Sequence, residues 1–207
     1  MEIKDSTRSY SALFFLGILA GVICRLSDFF PYESLWSLSS IATLFGFWIV
    51  SVTAITYCSS SGQGAFWNAF LYMLGMTVSF YGLKSILGLS MARFSGAFPT
   101  ALFLAYSAMA LVCGIGSSIL YLWNRENRFA SVLCALPAGA LLAEGIACLT
   151  VLWNRHMLLG QTLFDFAFAL LFGILLYRKA KNKILFFLTW AIAAGMVFLV
   201  FYRPFLL

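Results

Sequence analysis

Apolar residues fill long, nearly uninterrupted stretches of this chain, and short polar segments separate them. A helix needs about 20 mainly apolar residues to cross the hydrocarbon core of a bilayer. The chain offers seven such stretches, and the pattern therefore predicts an all-α, polytopic membrane helix bundle with about seven transmembrane helices. Their predicted bounds are residues 10–30, 35–58, 65–87, 99–123, 129–153, 157–177 and 184–202.

Composition supports a membrane protein. Of the 207 residues, 63% are hydrophobic and 10% are charged, whereas soluble domains are about half apolar and about a quarter charged. The polar gaps are too short for a folded domain outside the membrane, so we expect one membrane domain over residues 1–207. The first apolar stretch exceeds the core of a signal peptide, and we interpret it as a retained helix.

The basic residues predict the orientation. If the N-terminus is cytoplasmic, eight of the 13 Lys and Arg residues fall on the inner side, and the densest cluster is the segment RKAKNK at 178–183. Cytoplasmic loops carry an excess of Lys and Arg, so this distribution predicts an inner N-terminus and an outer C-terminus.

The net charge of +6 does not indicate a nucleic-acid-binding protein. The basic residues are scattered at helix ends, without the aromatic-interleaved surface that binds strands. We expect membrane lipid, through anionic headgroups, as the partner of these residues. The five cysteines contain no Cys-x-x-Cys motif, and His156 is the only histidine, so the sequence predicts no metal site and no cofactor.

Five ionisable residues lie within the predicted spans. A charged side chain near the bilayer centre costs about 2.5 to 3.5 kcal/mol on insertion scales, which makes each a candidate functional residue. From a rise of about 1.5 Å per residue, Glu144 and Asp165 lie about 3 to 5 Å outside the midplane. All five fall in the outer half and predict a polar cluster that opens outward. They are Arg25, Asp28, Lys84, Glu144 and Asp165.

Helical spacing assigns these residues to faces. Gln161 and Asp165 are one turn apart, and so, approximately, are Arg25 and Asp28. Small residues flank Glu144 on its own face and leave room for water or a ligand group. We expect a ligand-binding site formed by Glu144, Asp165, Arg25, Lys84, Asp28, Tyr81 and Gln161.

Three functions remain open. The first is binding or transport of a small solute, with the basic side chains on an anionic group and the acids on a cationic or hydroxylated one. The second is a structural, immunity or accessory role, in which buried charges form an ion-pair network and a membrane protein or a second copy docks. The third is an intramembrane hydrolase that uses Glu144 and Asp165 as an acid pair. No catalytic motif surrounds these acids, so we assign no catalytic residue.

Two resemblances accompany these hypotheses. The small-residue segment from Gly17 to Gly21, GILAG, and the short loops resemble the substrate-capture subunits of energy-coupling-factor transporters, although those usually have six helices. The segment WNAFLYMLGMTVSFY, from Trp67 to Tyr81, and Glu144-Gly145 resemble an uncharacterised family of small bacterial membrane proteins. The resemblances imply a multi-pass protein of a bacterial cytoplasmic membrane.

Overall fold

The computed structural model describes residues 2–206, and this part of the chain is helical, without named strands. Three short segments of 3-10 or π-helix continue or connect the α-helices, at Ala92–Phe94, Tyr121–Asn124 and Phe198–Tyr202. The α-helices, in chain order, are α1 (Thr7–Ser27), α2 (Ser40–Thr43), α3 (Gly46–Cys58), α4 (Gly62–Gly88), α5 (Thr100–Leu120), α6 (Arg128–Arg155), α7 (Leu159–Lys179), α8 (Lys183–Val197) and α9 (Arg203–Leu206).

Six helical segments within residues 2–206 are long and apolar enough to cross a membrane. They comprise α1, α4, α6 and α7, α5 with its 3-10 extension, and α8 with its π-helical extension. Large apolar side chains project outward along them; Leu170 is 66% exposed and Ile184 is 75% exposed. Lipid tails cover such surfaces, so the all-α membrane helix bundle predicted from the sequence is confirmed.

The second predicted span differs from the expectation. Only its latter half forms a long helix, α3, and 13 residues rise about 20 Å, less than the roughly 30 Å of a hydrocarbon core. In the preceding segment, serine hydroxyls form hydrogen bonds with backbone carbonyls. The Ser37 hydroxyl lies 2.5 Å from the carbonyl oxygens of both Tyr32 and Ser34 and donates to them. Such local bonds offer the backbone an alternative to the helix.

The helices group into two compact units, residues 2–28 with 54–121 and residues 29–53 with 122–206. The boundary between Thr53 and Ala54 falls inside α3, which contributes residues to both units. The single domain expected over residues 1–207 stays a prediction.

In the first unit, α1 packs directly on α4 through glycines. A Cβ atom at Gly17 would overlap the carbonyl of Tyr72, and one at Gly21 would overlap the carbonyl of Met76. Gly75 on α4 is equally close to the carbonyl of Phe14. We call Gly17, Gly21 and Gly75 the glycine seam. Such close backbone approach is how helices associate in lipid.

In the second unit, α6 is the most buried helix and packs against α7 and α8. Asn127 caps its start, where the side-chain oxygen accepts the N–H of Ala130 at 2.9 Å. It ends at His156, whose left-handed conformation stops the helix. Gly139 allows α8 to approach, since a Cβ there would lie 3.0 Å from the carbonyl oxygen of Trp190.

The non-helical segment before α2 is anchored to the start of α7. Leu159 donates its backbone N–H to the carbonyl of Leu35 at 2.9 Å, and Leu158 donates to the hydroxyl of Ser37 at 3.3 Å. Gly160 leaves room for the carbonyl of Trp36, which a Cβ would meet at 2.8 Å. These bonds hold irregular backbone in the unit that contains α6 and α7.

Candidate functional site

Glu144 lies on α6, about 16 Å along the helix from its C-terminal end. Its side chain is completely buried. The next residue, Gly145, lets α7 come close, because a Cβ there would lie 3.4 Å from the Cβ of Asp165. Glycine at this point of α6 therefore sets the two acidic residues beside each other.

Asp165 and Gln161 form the α7 side of the cluster. Both are completely buried. One helical turn separates them, and Gln161 Nε2 donates a hydrogen bond to Asp165 Oδ1 at 2.8 Å. The amide of Gln161 thus satisfies one oxygen of the Asp165 carboxyl group and leaves the other, Oδ2, without a partner.

The N-terminus of α3 forms a third side. The backbones of Phe45 and Gly46 and the hydroxyl of Tyr202 face the Glu144 carboxyl group, but none completes a hydrogen bond to it. Gly46 lies so close to α7 that a Cβ would overlap the carboxyl group of Asp165 and lie 2.6 Å from Gln161 Nε2. The first N–H groups of a helix lack intrahelical partners and carry partial positive charge, so they suit an acidic neighbour.

The cluster contains buried oxygens that nothing in residues 2–206 satisfies. Both carboxyl oxygens of Glu144, Oδ2 of Asp165 and Oε1 of Gln161 are inaccessible, and none accepts a hydrogen bond of full geometry, although donors face both acids. The two acids also form no ion pair with a basic side chain of that part of the chain. Uncompensated buried carboxylates are very costly, so the pair needs protons or a bound cation to neutralise it.

A cavity of about 200 Å³ approaches the cluster. Cys148 and Tyr202 line it and also face the acids, Cys148 toward Asp165 and Tyr202 toward Glu144. Its other end lies at the C-terminal end of α6, where Arg155 is exposed. The remaining lining residues are Tyr32, Leu44, Ala147, Val151, Met157 and Leu158.

In the first unit, Arg25 has partners for its charge, and none of its buried nitrogens is without a hydrogen bond within residues 2–206. Its guanidinium donates from Nη1 to Asp28 Oδ2 at 2.6 Å and from Nε to the carbonyl of Phe80 at 3.1 Å. The same group lies over the Phe80 ring, 3.6 Å from its centroid. Arg93 donates to the backbone carbonyl of Asp28 at 2.6 Å and fixes the end of α1. Arg25 and Asp28, which lie about one turn apart on α1, therefore form an ion pair within the first unit.

Tyr81 and Lys84, the other two predicted site residues, lie on α4 in the first unit. Tyr81 is buried in an aromatic cluster, with its ring centroid 5.9 Å from that of Tyr106 and 6.1 Å from that of Phe103. Lys84 is half-buried and forms no ion pair within residues 2–206. The structure thus places Asp165 and Gln161 beside Glu144, places Asp28 and Tyr81 near Arg25, and leaves Lys84 separate.

The structure adds residues that the sequence alone does not assign to the cluster. Gly46 and Tyr202 adjoin the acids, and Phe80 lies against Arg25. Cys148, which helical spacing already places on the face of Glu144, also adjoins the acids. The polar residues that precede Gly46 indicate that the long helix of the second predicted span, 35–58, begins only in its latter half. Within residues 2–206, no group of three or more His, Cys, Asp or Glu side chains is arranged to hold a metal ion.

Long apolar helices, a half-length helix and a buried acid cluster together define a polytopic membrane protein with polar groups inside its second unit. The chain belongs to DUF6518, a family of unknown function whose model matches residues 2–207. The sequence expectation of an uncharacterised membrane-protein family is confirmed at this level. No curated protein and no solved structure matches the chain.

Proposed function

We propose that this membrane protein binds a small solute with a cationic group, at Glu144 and Asp165, as a transporter or its solute-binding membrane subunit. One observation carries the proposal: two fully buried carboxyl groups have no basic partner in the described chain, and Cys148 and Tyr202, which face them, also line a cavity. A cationic group provides the charge and the hydrogen-bond donors that these oxygens lack.

The cavity supports a solute of limited size. Pockets for drug-sized ligands are roughly 300 to 1,000 Å³, and this one is about 200 Å³. Apolar side chains such as Val151 and Met157 line its walls, and Arg155 at the exposed end suits an anionic group on the same solute. The candidate solutes are therefore small amines and zwitterions.

The interrupted second span supports transport over static binding. Transporter sites often lie where a membrane helix is discontinuous, and the positive N-terminal end of a half-helix faces an anionic group there. In this site the anionic groups are the two acids themselves, which this end of α3 favours in their charged, cation-binding form. Here α3 begins at Gly46, beside both acids, after a segment of irregular backbone. Protons can replace the solute on the acids, so we propose that solute and protons compete for this site.

A structural role is the second candidate, and the Arg25 contacts favour it for the first unit. Arg25 bonds to Asp28 and to the Phe80 carbonyl, and neither Arg25 nor Asp28 has a buried polar atom without a partner in the described chain. We therefore restrict the proposed site to Glu144, Asp165 and Gln161 with Tyr202 and Cys148, and assign Arg25 and Asp28 to packing.

A thermal-shift screen tests the proposal. Purified protein in lipid nanodiscs would be melted with ammonium, primary amines, choline, and neutral and basic amino acids. We expect at least one to stabilise the wild type, by about 2.7 kcal/mol at 100 times its Kd, and not to stabilise Glu144→Gln.

Glu126→Gln provides the matched control, because Glu126 is an exposed acid paired with Lys181 at 3.4 Å. It should respond to the probe as the wild type does. If no probe stabilises the wild type and Glu144→Gln melts well below it, the acids hold the helices together and the structural alternative replaces this proposal.

A further inference from the structure

An apolar groove runs along the second unit, away from the acid cluster. It has a volume of about 510 Å³ and lies between α6, α7 and α8. We call it the α7–α8 groove. Its lining residues are Leu142, Phe166, Ala169, Leu170, Gly173, Ile174, Tyr177, Arg178, Phe186, Phe187 and Trp190.

The groove is open to the surroundings of the protein. Leu170 is 66% exposed and Phe187 is 53% exposed, while Ala169 and Phe186 are buried at its base. Gly173 faces open space, since a Cβ there would meet no atom within 4 Å. In a membrane, apolar chains fill such a groove, because water gains no hydrogen bonds from these walls.

The dimensions fit one lipid chain. The lining residues of α7 run from Phe166 to Arg178, about 18 Å along the helix, close to the roughly 15 Å of one leaflet's hydrocarbon. The groove is therefore long enough to take one acyl chain of a lipid in that leaflet.

One end of the groove is strongly basic. Arg178 lines it, and Lys179, Lys181 and Lys183 follow within five residues. Lys183 donates to the carbonyl of Tyr177, another lining residue, and so remains at this end. The single acid in ion-pair contact with this segment is Glu126, on Lys181, within the described residues. A phosphate group at Arg178 meets a net positive field there.

We infer that the α7–α8 groove binds one anionic phospholipid, with an acyl chain along Phe166 to Ile174 and the phosphate at Arg178. Basic pockets between membrane helices on the cytoplasmic side bind anionic headgroups in this way. The orientation predicted from the basic residues puts the Arg178 end in the inner leaflet. This inference is independent of the solute proposed for Glu144 and Asp165.

Native mass spectrometry of protein released from nanodiscs tests the inference. Nanodiscs would contain phosphatidylglycerol and phosphatidylcholine in equal amounts, and the retained lipids would be counted. We expect one phosphatidylglycerol to remain preferentially on the wild type. Arg178→Gln should reduce this preference about five-fold, and Gly173→Leu should abolish retention of the site lipid by filling open space.

Arg125→Gln is the matched control, since Arg125 is a loop residue that does not line the groove. It should keep the phosphatidylglycerol preference of the wild type. Equal retention of both lipids by the wild type, retention unchanged in Gly173→Leu, or the same loss in Arg125→Gln would overturn the inference. Each result would mean that lipid surrounds the protein without occupying this groove.

Discussion

Both units bury ionisable side chains, but these side chains have partners in the first unit, whereas in the described part of the second they have oxygens without a hydrogen bond. Arg25 in the first unit has an acid, a backbone carbonyl and an aromatic ring within contact distance. Glu144 in the second unit has neighbours of the right chemistry, yet neither carboxyl oxygen completes a hydrogen bond. The charge of Arg25 is balanced within the protein, whereas the Glu144 carboxyl group requires a proton or a bound cation.

This difference separates two uses of charge in a membrane. A satisfied ion pair fixes packing, and removing one partner exposes the other. An unsatisfied acid pair keeps its capacity to bind a proton, a cation or a donor group. The presence or absence of partners for the charge therefore distinguishes the two sets of residues.

Removing the charge of Arg25 should have the largest effect on stability. Arg25→Gln should lower the free energy of unfolding by about 3 kcal/mol, because Asp28 and the Phe80 carbonyl lose their donors. Unfolding in mixed micelles would measure it, with the exposed Arg8→Gln as control. A change no larger than that of the control would mean that the Arg25 contacts do not stabilise the first unit.

A methyl group at the start of α3 should have the second-largest effect. Gly46→Ala should lower the free energy of unfolding by about 2 kcal/mol, because the new Cβ overlaps the Asp165 carboxyl group. It should also weaken solute binding. Gly82→Ala is the control, since nothing lies within 4 Å of its Cβ, and alanine should stabilise α4 slightly. Equal melting of the two variants would contradict this packing.

Neutralising an acid of the second unit should change stability less. Glu144→Gln should alter the free energy of unfolding by about 1 kcal/mol or less, because no ion pair is broken and the uncompensated charge disappears. Solute binding should be lost. A loss of stability as large as that of Arg25→Gln would mean that Glu144 stabilises the second unit as much as Arg25 stabilises the first.

Removal of the Lys84 charge should have the smallest effect. Lys84→Gln should change the free energy of unfolding by about 0.5 kcal/mol or less, because Lys84 has no ion-pair partner within residues 2–206. Thermal melting in nanodiscs suffices to measure it. A large shift would reveal a role for Lys84 that its described contacts do not include, and would return it to the candidate site.

Most of the helices follow from hydropathy, because lipid leaves no alternative to internal hydrogen bonding. The second span departs from the prediction for a local reason. The mean hydropathy of residues 35–58 is dominated by large apolar residues and does not register Ser37 and Ser40. The hydroxyls of these serines bind nearby carbonyls, and the long helix α3 begins only at Gly46, after the four-residue α2.

The acid cluster was predictable only in part. The spacing of Gln161 and Asp165 gave their shared face, and Glu144 was conspicuous in its apolar surroundings. Depth along a helix does not determine its rotation, so the sequence did not show that Gly46 and Tyr202 meet these acids. Those contacts depend on how α3 and the end of α8 pack on α6 and α7.

The glycine seam has a consequence for the order of synthesis. Gly17 and Gly21 contact backbone on α4, which begins at Gly62 and is therefore made after α1 has ended at Ser27. Until then α1 exposes a bare glycine face, and Arg25 lacks the Phe80 ring. Asp28, three residues later on the same helix, is made almost at once and neutralises Arg25. The first helix therefore carries its own counter-ion into the membrane, whereas its glycines stay uncovered until α4 is made.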